Sequence, residues 1–223
     1  DILKSYSINI INNNYKEFII PGSQEFIKIS DYELGDWSGA SFLISAATLV
    51  ANSSVRIFGL NKNSCQADID ILKILDKSGA NYNIDDDCLT VYKSSIKSFC
   101  HDFTDCPDLL PAIIPLAISA DKECHLMNIT KLKYKESNRV NAIIDEYKKI
   151  GITILNQGDD MIVFLGKFEF AEVDSTRDHR IAMSLGVSGL ISNSYIKVHD
   201  CDSISKSYPS FWNDLLYLGA DIR

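Results

Sequence analysis

Three helix-like segments, each closed by a glycine at intervals of about 70 residues, limit this chain more than any other feature. Gln66 to Ser78 carries Ile71, Leu72 and Leu75 and then Gly79. Glu136 to Ile150 carries Val140, Ile143, Ile144 and Tyr147 and then Gly151. Ser210 to Leu218 carries Phe211, Leu215 and Leu218 and then Gly219. The apolar spacing marks one face of a helix, and a glycine just past the end supplies a left-handed cap. A recurrence of this kind implies an internal repeat.

Other landmarks recur in phase. A short strand precedes each capped helix, over Ser54 to Phe58, His125 to Ile129 and Tyr195 to His199. Before each strand lies a strongly apolar helix: Ala40 to Val50, Leu109 to Ala120 and Ile181 to Ile191. Being apolar on most sides, these helices are expected in the interior. Pro107, Pro111 and Pro115 fall at or near the start of the second, and Pro115 is expected to kink it. Hairpins follow the first two glycines, Asn81–Ile84 with Leu89–Tyr92 and Ile152–Leu155 with Met161–Phe164. The unit reads helix, strand, helix, hairpin, with a lead-in strand. Near the start, Ile8–Ile11 and Phe18–Ile20 around Asn12-Asn13-Asn14 form a hairpin with no unit before it. Residues 1–34 therefore read as the tail of an earlier domain, and residues 35–223 as three units of one α/β domain.

Polar residues collect at two places in each unit, both at helix N-termini. Before the apolar helices stand Gly35-Asp36-Trp37-Ser38, Asp105-Cys106-Pro107-Asp108 and Asp178-His179-Arg180. Before the capped helices stand Ser64-Cys65-Gln66-Ala67-Asp68, Lys135-Glu136-Ser137-Asn138-Arg139 and Ser205-Lys206-Ser207-Tyr208-Pro209. Helix N-termini favour anions, so Lys135, Arg139, Arg180 and Lys206 stand where a helix gains nothing from a cation. Taken singly, Asp36, Asp108 and Ser137 read as N-caps, and His179, Trp37 and Trp212 as packing residues. Lys131 and Lys133 read as solvated. The coincidence of both charge signs at equivalent ends of a threefold repeat points instead to a site for a multiply charged anion.

Composition excludes some classes. With 22 basic and 30 acidic residues the formal charge is −8, which disfavours nucleic acid or an anionic membrane as the main partner. None of the six cysteines pairs in CxxC spacing, so they read as reduced thiols of a cytoplasmic protein with no metal site.

Six segments resemble, in order, motifs of the 3-phosphoshikimate 1-carboxyvinyltransferase (enolpyruvylshikimate-phosphate synthase) family in its C-terminal portion. Leu34–Ala40 is similar to GD-x-S-S-A, and Asn63–Asp68 to N-S-x-Q-G-D. Pro107-Asp108 is similar to P-D, and Lys135–Arg139 to K-E-[ST]-[DN]-R. Asp178–Met183 is similar to D-H-R-x-A-M, and Lys206–Pro209 to K-[ST]-[FY]-P. Gly39 and Ala67 depart from the usual serine and glycine. The resemblance implies an inside-out, barrel-like domain of three βαβαββ repeats, with helices buried and sheets outside. It implies transfer of the enolpyruvyl group of phosphoenolpyruvate to the 5-hydroxyl of shikimate 3-phosphate, releasing phosphate, without metal or organic cofactor.

The resemblance also implies roles. Asp108 is the expected base, Lys135 its neighbour in proton transfer and substrate binding, and Glu136 the acid. Arg139, Arg180 and Lys206 are expected to bind the anionic groups of phosphoenolpyruvate. His179 and Asp178 support them, and Lys131 stands where some members place an asparagine that contacts the shikimate ring. The family's N-terminal segments that bind shikimate 3-phosphate do not occur in this sequence. The chain is thus expected to be one wall of a cleft, inactive alone, from a parent that is a monomer. Two alternatives are a non-catalytic half that self-associates and a sister enolpyruvyl transferase acting on a UDP-sugar.

Overall fold

Pro115 shows how the interior is assembled. It lies inside the helix Leu110–Ile118, every residue of which is buried. Proline has no N–H, so the carbonyl of Pro111 one turn earlier has no intrahelical donor. Ser184 of a neighbouring helix supplies one, its hydroxyl donating to Pro111 O at 2.6 Å. The Tyr147 hydroxyl joins Ser184 and Ser188 at 2.7 Å each. From the third helix, Ser45 donates to Ala112 O at 2.7 Å. The sequence's apolar helices are thus pinned to one another by small hydroxyls that satisfy buried carbonyls.

The computed structural model describes residues 2–27, 35–166 and 168–223. The chain divides into two compact units, Asp1–Leu34 and Gly35–Arg223. The first contains a short helix, α1 (Ile2–Ser5), and an antiparallel hairpin, β1 (Ile11–Asn13) with β2 (Glu17–Ile19). The hairpin turns later than its asparagine run suggests. Asn14 and Tyr15 take positive φ, and the Lys16 N–H donates to Asn13 O at 3.1 Å. An asparagine tolerates that left-handed geometry better than most residues.

The second unit runs α2 (Trp37–Val50), β3 (Ser54–Phe58), α3 (Ile71–Ser78), β4 (Tyr82–Ile84) and β5 (Cys88–Tyr92). It continues with β6 (Cys100–Asp102), α4 (Leu110–Ile118), β7 (Cys124–Met127), α5 (Arg139–Lys149), β8 (Ile154–Gln157) and β9 (Asp160–Val163). It ends with β10 (Ala171–Asp174), α6 (His179–Gly189), β11 (Ile196–His199) and α7 (Phe211–Tyr217). Helices α2, α4 and α6 pack on one another in the interior. Around them stand three sheets, ordered β3-β5-β4, β6-β7-β9-β8 and β10-β11. The crossovers β6-α4-β7 and β10-α6-β11 join parallel strands, whereas the hairpins pair antiparallel. The whole is a mixed α/β fold with its apolar helices inside. Each capping glycine has positive φ: 72° at Gly79, 86° at Gly151 and 100° at Gly219.

Two of the capped helices start later than their apolar pattern predicts. A single 3-10 turn, Ala67–Asp70, precedes α3. Helix α5 begins at Arg139 rather than Glu136, because the Asn138 side chain accepts the Asn141 N–H at 3.2 Å and fixes the cap there. Ser137 is therefore not a cap. No helix of the described residues is long and apolar enough to cross a membrane.

Candidate active site

The cap at Asn138 makes Arg139 the first residue of α5, and its side chain is wholly buried. A buried guanidinium needs partners, and three carboxylates supply them. Arg139 Nε donates to Asp178 Oδ2 at 2.8 Å, and Nη2 to Asp178 Oδ1 at 3.3 Å, a forked pairing. Nη1 donates to Asp108 at 2.7 Å, and Nη2 to Glu136 at 2.5 Å.

Asp178 is itself fully buried and caps α6, accepting the Arg180 N–H at 3.0 Å and the Ser137 hydroxyl at 3.0 Å. Burial alone raises its pKa, but Arg139 and these donors outweigh burial and hold the carboxyl below its ordinary range. Asp108 sits in the turn Pro107–Leu109 that leads into α4, and it caps nothing. Its carboxylate faces Lys135 Nζ at 3.0 Å and Arg139. Here too burial pushes upward, while the hydrogen bond from Lys135 and the charges of Arg180, Lys135 and Arg139 prevail, so the group stays ionised at neutral pH. Arg180 Nη1 donates to the backbone oxygen of Asp108 at 2.8 Å and lies 3.6 Å from Asp68 Oδ2.

Asp68 comes from the turn before α3 and accepts the Ser38 hydroxyl of α2. Burial raises its pKa in spite of Ser38 and Arg180. Gln66 ties the same two segments, its Oε1 accepting the Trp37 N–H at 2.8 Å and its Nε2 donating to Gly35 O at 2.6 Å. Sequence reasoning left Ser38, Gln66 and Asp68 out of the site. The signal was their repeat position, equivalent to Lys135–Arg139 for Gln66 and Asp68 and to Asp178–Arg180 for Ser38.

Helix N-termini from all three repeats thus meet in one network, with Asp68 from the first, Asp108, Lys135, Glu136 and Arg139 from the second, and Asp178 and Arg180 from the third. His179 is buried beside it. Burial lowers its pKa, and its Nδ1 has no partner. Two expected residues stand apart. Lys131 and Lys206 are exposed and donate to the backbone oxygens of Thr104 at 2.7 Å and Arg177 at 3.1 Å. The reading of Asp108, taken singly, as a helix cap does not hold, because the residue lies within the turn Pro107–Leu109 and its carboxylate faces Lys135. Trp37 is core, with Nε1 donating to Asn61 O at 3.2 Å.

This fold, with buried helices and outer sheets, is shared with solved structures of other proteins. The EPSP synthase of Acinetobacter baumannii superposes with a TM-score of 0.85 at 22% identity, over 98% of this chain and 53% of that one. The enolpyruvyl transferase NikO of Streptomyces tendae gives 0.80 at 17% identity, over 100% of this chain and 52% of that one. The chain belongs to the EPSP synthase (3-phosphoshikimate 1-carboxyvinyltransferase) family, whose model matches residues 1–215. Among curated relatives, the 3-phosphoshikimate 1-carboxyvinyltransferase of Clostridium acetobutylicum is 36% identical over 225 residues, covering 100% of this chain and 51% of its own length. That of Clostridium novyi is 35% identical with the same coverage. The chain spans about half the length of the relatives it matches.

Proposed function

We propose that this chain supplies the phosphoenolpyruvate side of an enolpyruvyl-transfer site, acting on shikimate 3-phosphate, in aromatic amino-acid biosynthesis. The observation that carries the reading is Asp108, an ionised carboxylate held between Lys135 at 3.0 Å and Arg139 at 2.7 Å without capping a helix.

In this reading the 5-hydroxyl of shikimate 3-phosphate attacks C2 of phosphoenolpyruvate as Asp108 takes its proton. Glu136 protonates the methylene carbon, giving a tetrahedral intermediate. Loss of phosphate, with removal of a methyl proton, restores the double bond. Lys135 links Asp108 to the substrate and steadies the developing charge. Arg180 binds the anionic groups, and Lys206 joins it by leaving the Arg177 backbone oxygen. Arg139 reaches a ligand only by exchanging one of its carboxylates. The side chain of Glu136 is 40% exposed and can swing away, whereas that of Asp178 is 0% exposed and stays. His179 and Asp178 hold the start of α6, and Lys131 contacts the shikimate ring only by leaving the Thr104 backbone oxygen.

The chain alone has negligible turnover in this reading, because shikimate 3-phosphate needs a second wall. Phosphate release is measured from both substrates, with the chain alone and with the N-terminal half of the Clostridium acetobutylicum relative. Binding of phosphoenolpyruvate to the chain alone is followed by phosphorus NMR. Weak binding that R180A abolishes, with release only in the mixture, is the expected result. Binding that R180A leaves unchanged sinks the assignment of the anion site, and full turnover by the chain alone sinks its division into walls.

A further inference from the structure

Away from the charged network, three side chains from dispersed positions meet beneath the surface. Asp70 ends the turn before α3, His101 is the middle residue of β6, and Cys106 opens the turn that carries Asp108. His101 is 4% exposed and Cys106 1%. Cys106 Sγ lies 3.5 Å from His101 Nε2, and Asp70 Oδ2 lies 3.8 Å from the same nitrogen. The three ligand atoms lie within 4.8 Å of one another.

We propose that Asp70, His101 and Cys106 form a binding site for a thiophilic divalent cation of the zinc class. One sulfur, one imidazole nitrogen and one carboxylate oxygen are a donor set such cations take, with a fourth position left for water. Bonds of about 2.3 Å to sulfur and about 2.0–2.1 Å to nitrogen at a tetrahedral angle separate the two atoms by roughly 3.5 Å. The observed Sγ–Nε2 distance is 3.5 Å. Asp70 Oδ1 is taken by Lys73 at 2.7 Å, but Oδ2 faces His101. Asp70, the partly exposed member, gives the cation a way in from solvent.

The protonation states fit. Burial keeps His101 neutral, helped by Lys77 and Lys73 against Asp70 and Asp102. Its Nδ1 has no partner, so no hydrogen bond at that atom holds the proton on Nε2. Burial pushes the Cys106 thiol up to about 12, with Asp70, Asp68 and Asp105 adding to the rise and Lys73 opposing it. The thiol therefore keeps its proton until a cation arrives. As the sulfur–metal bond forms, the S–H bond breaks and the proton leaves to solvent, so affinity rises with pH. Cys106 lies two residues from Asp108, so a bound cation anchors the base of the turn that presents the proposed catalytic carboxylate.

The test titrates Co2+ into the 223-residue chain under reducing conditions and follows the thiolate-to-cobalt charge-transfer band. The expected result is a band that saturates at one equivalent, is displaced by Zn2+ and disappears in C106S. D70N changes the partly exposed ligand, so it gives a readout should C106S misfold. It weakens cobalt binding about 10- to 100-fold, at least what loss of a supporting group causes. C201S, at an exposed thiol in another repeat, leaves the band unchanged. Absence of the band in the unsubstituted chain overturns the proposal, as does a band that survives both C106S and D70N.

Discussion

Asp36, Asp108 and Asp178 stand at corresponding places in three repeats, each just ahead of an interior helix, and each does something different. Asp36 is exposed and caps α2 through the Ser38 N–H at 2.9 Å. Asp178 caps α6 in the same way but is fully buried, and it also holds Arg139. Asp108 has given up the cap, because the turn Pro107–Leu109 is inserted before α4, and its carboxylate points at Lys135 and Arg139. One residue type at one repeat position thus serves as a cap, as a cap with a buried ion pair, and as an uncommitted carboxylate facing two cations. The base role proposed for Asp108 requires a carboxylate that is not committed to a helix N-terminus, and Asp108 is the one of the three that meets this requirement.

The largest effect belongs to the buried pair. Replacing Arg139 by methionine leaves Asp178 charged and buried with only neutral donors. The unfolding free energy is expected to fall by about 3–5 kcal/mol, read from chemical denaturation. Arg139→Lys recovers only part, because a point charge cannot make the fork to Asp178. A loss below about 1 kcal/mol, the size of an exposed pair, would show that Asp178 is not energetically distinct from Asp36.

The next effect is smaller and depends on pH. Asp178→Asn keeps an acceptor for the Arg180 N–H but removes the charge facing Arg139, for a loss of about 1.5–3 kcal/mol at neutral pH. Asp178 and Asp108 are both held below the ordinary Asp value in the folded chain. Their stabilisation is therefore complete above the unfolded-state pKa and is lost as pH falls through the folded-state values. His101 and His179, both lowered, begin the decline earlier, from about pH 6.5 downward. Stability of the unsubstituted chain is expected to fall more steeply than that of Asp178→Asn between about pH 5 and pH 3. Parallel profiles would remove Asp178 from the account of acid sensitivity.

Much of this was legible in the sequence because the repeat is written in local signals. The glycine caps at Gly79, Gly151 and Gly219 and the apolar run Leu110–Ile118 need only propensity and periodicity to be read. What stayed hidden depends on partners far along the chain. Nothing near Arg139 says that Asp178, thirty-nine residues away, will bury it. Nothing near Ser184 says that it completes a carbonyl orphaned by Pro115. The meeting of Asp70, His101 and Cys106 escaped because ligand motifs are recognised by short spacing, and the fold alone brings these three together. The misplaced start of α5 has a smaller cause, the competition between Ser137 and Asn138 as caps, settled when Ser137 turned to Asp178.

The smallest stability effects carry the sharpest functional contrast. Asp36→Ala removes a cap and is expected to cost about 1 kcal/mol. Asp108→Asn removes no cap, and its side chain is 36% exposed, so it is expected to cost under about 1 kcal/mol. In the mixture with the complementary half, Asp36→Ala should leave phosphate release nearly intact once folding is assured. Asp108→Asn should lower it by about 10²–10⁴-fold, the usual contribution of a general base. The pair separates positioning from chemistry, because the less stable variant is expected to be the more active one. If both lose activity in proportion to their stability, Asp108 is only another structural carboxylate, and the base must be sought elsewhere in the network.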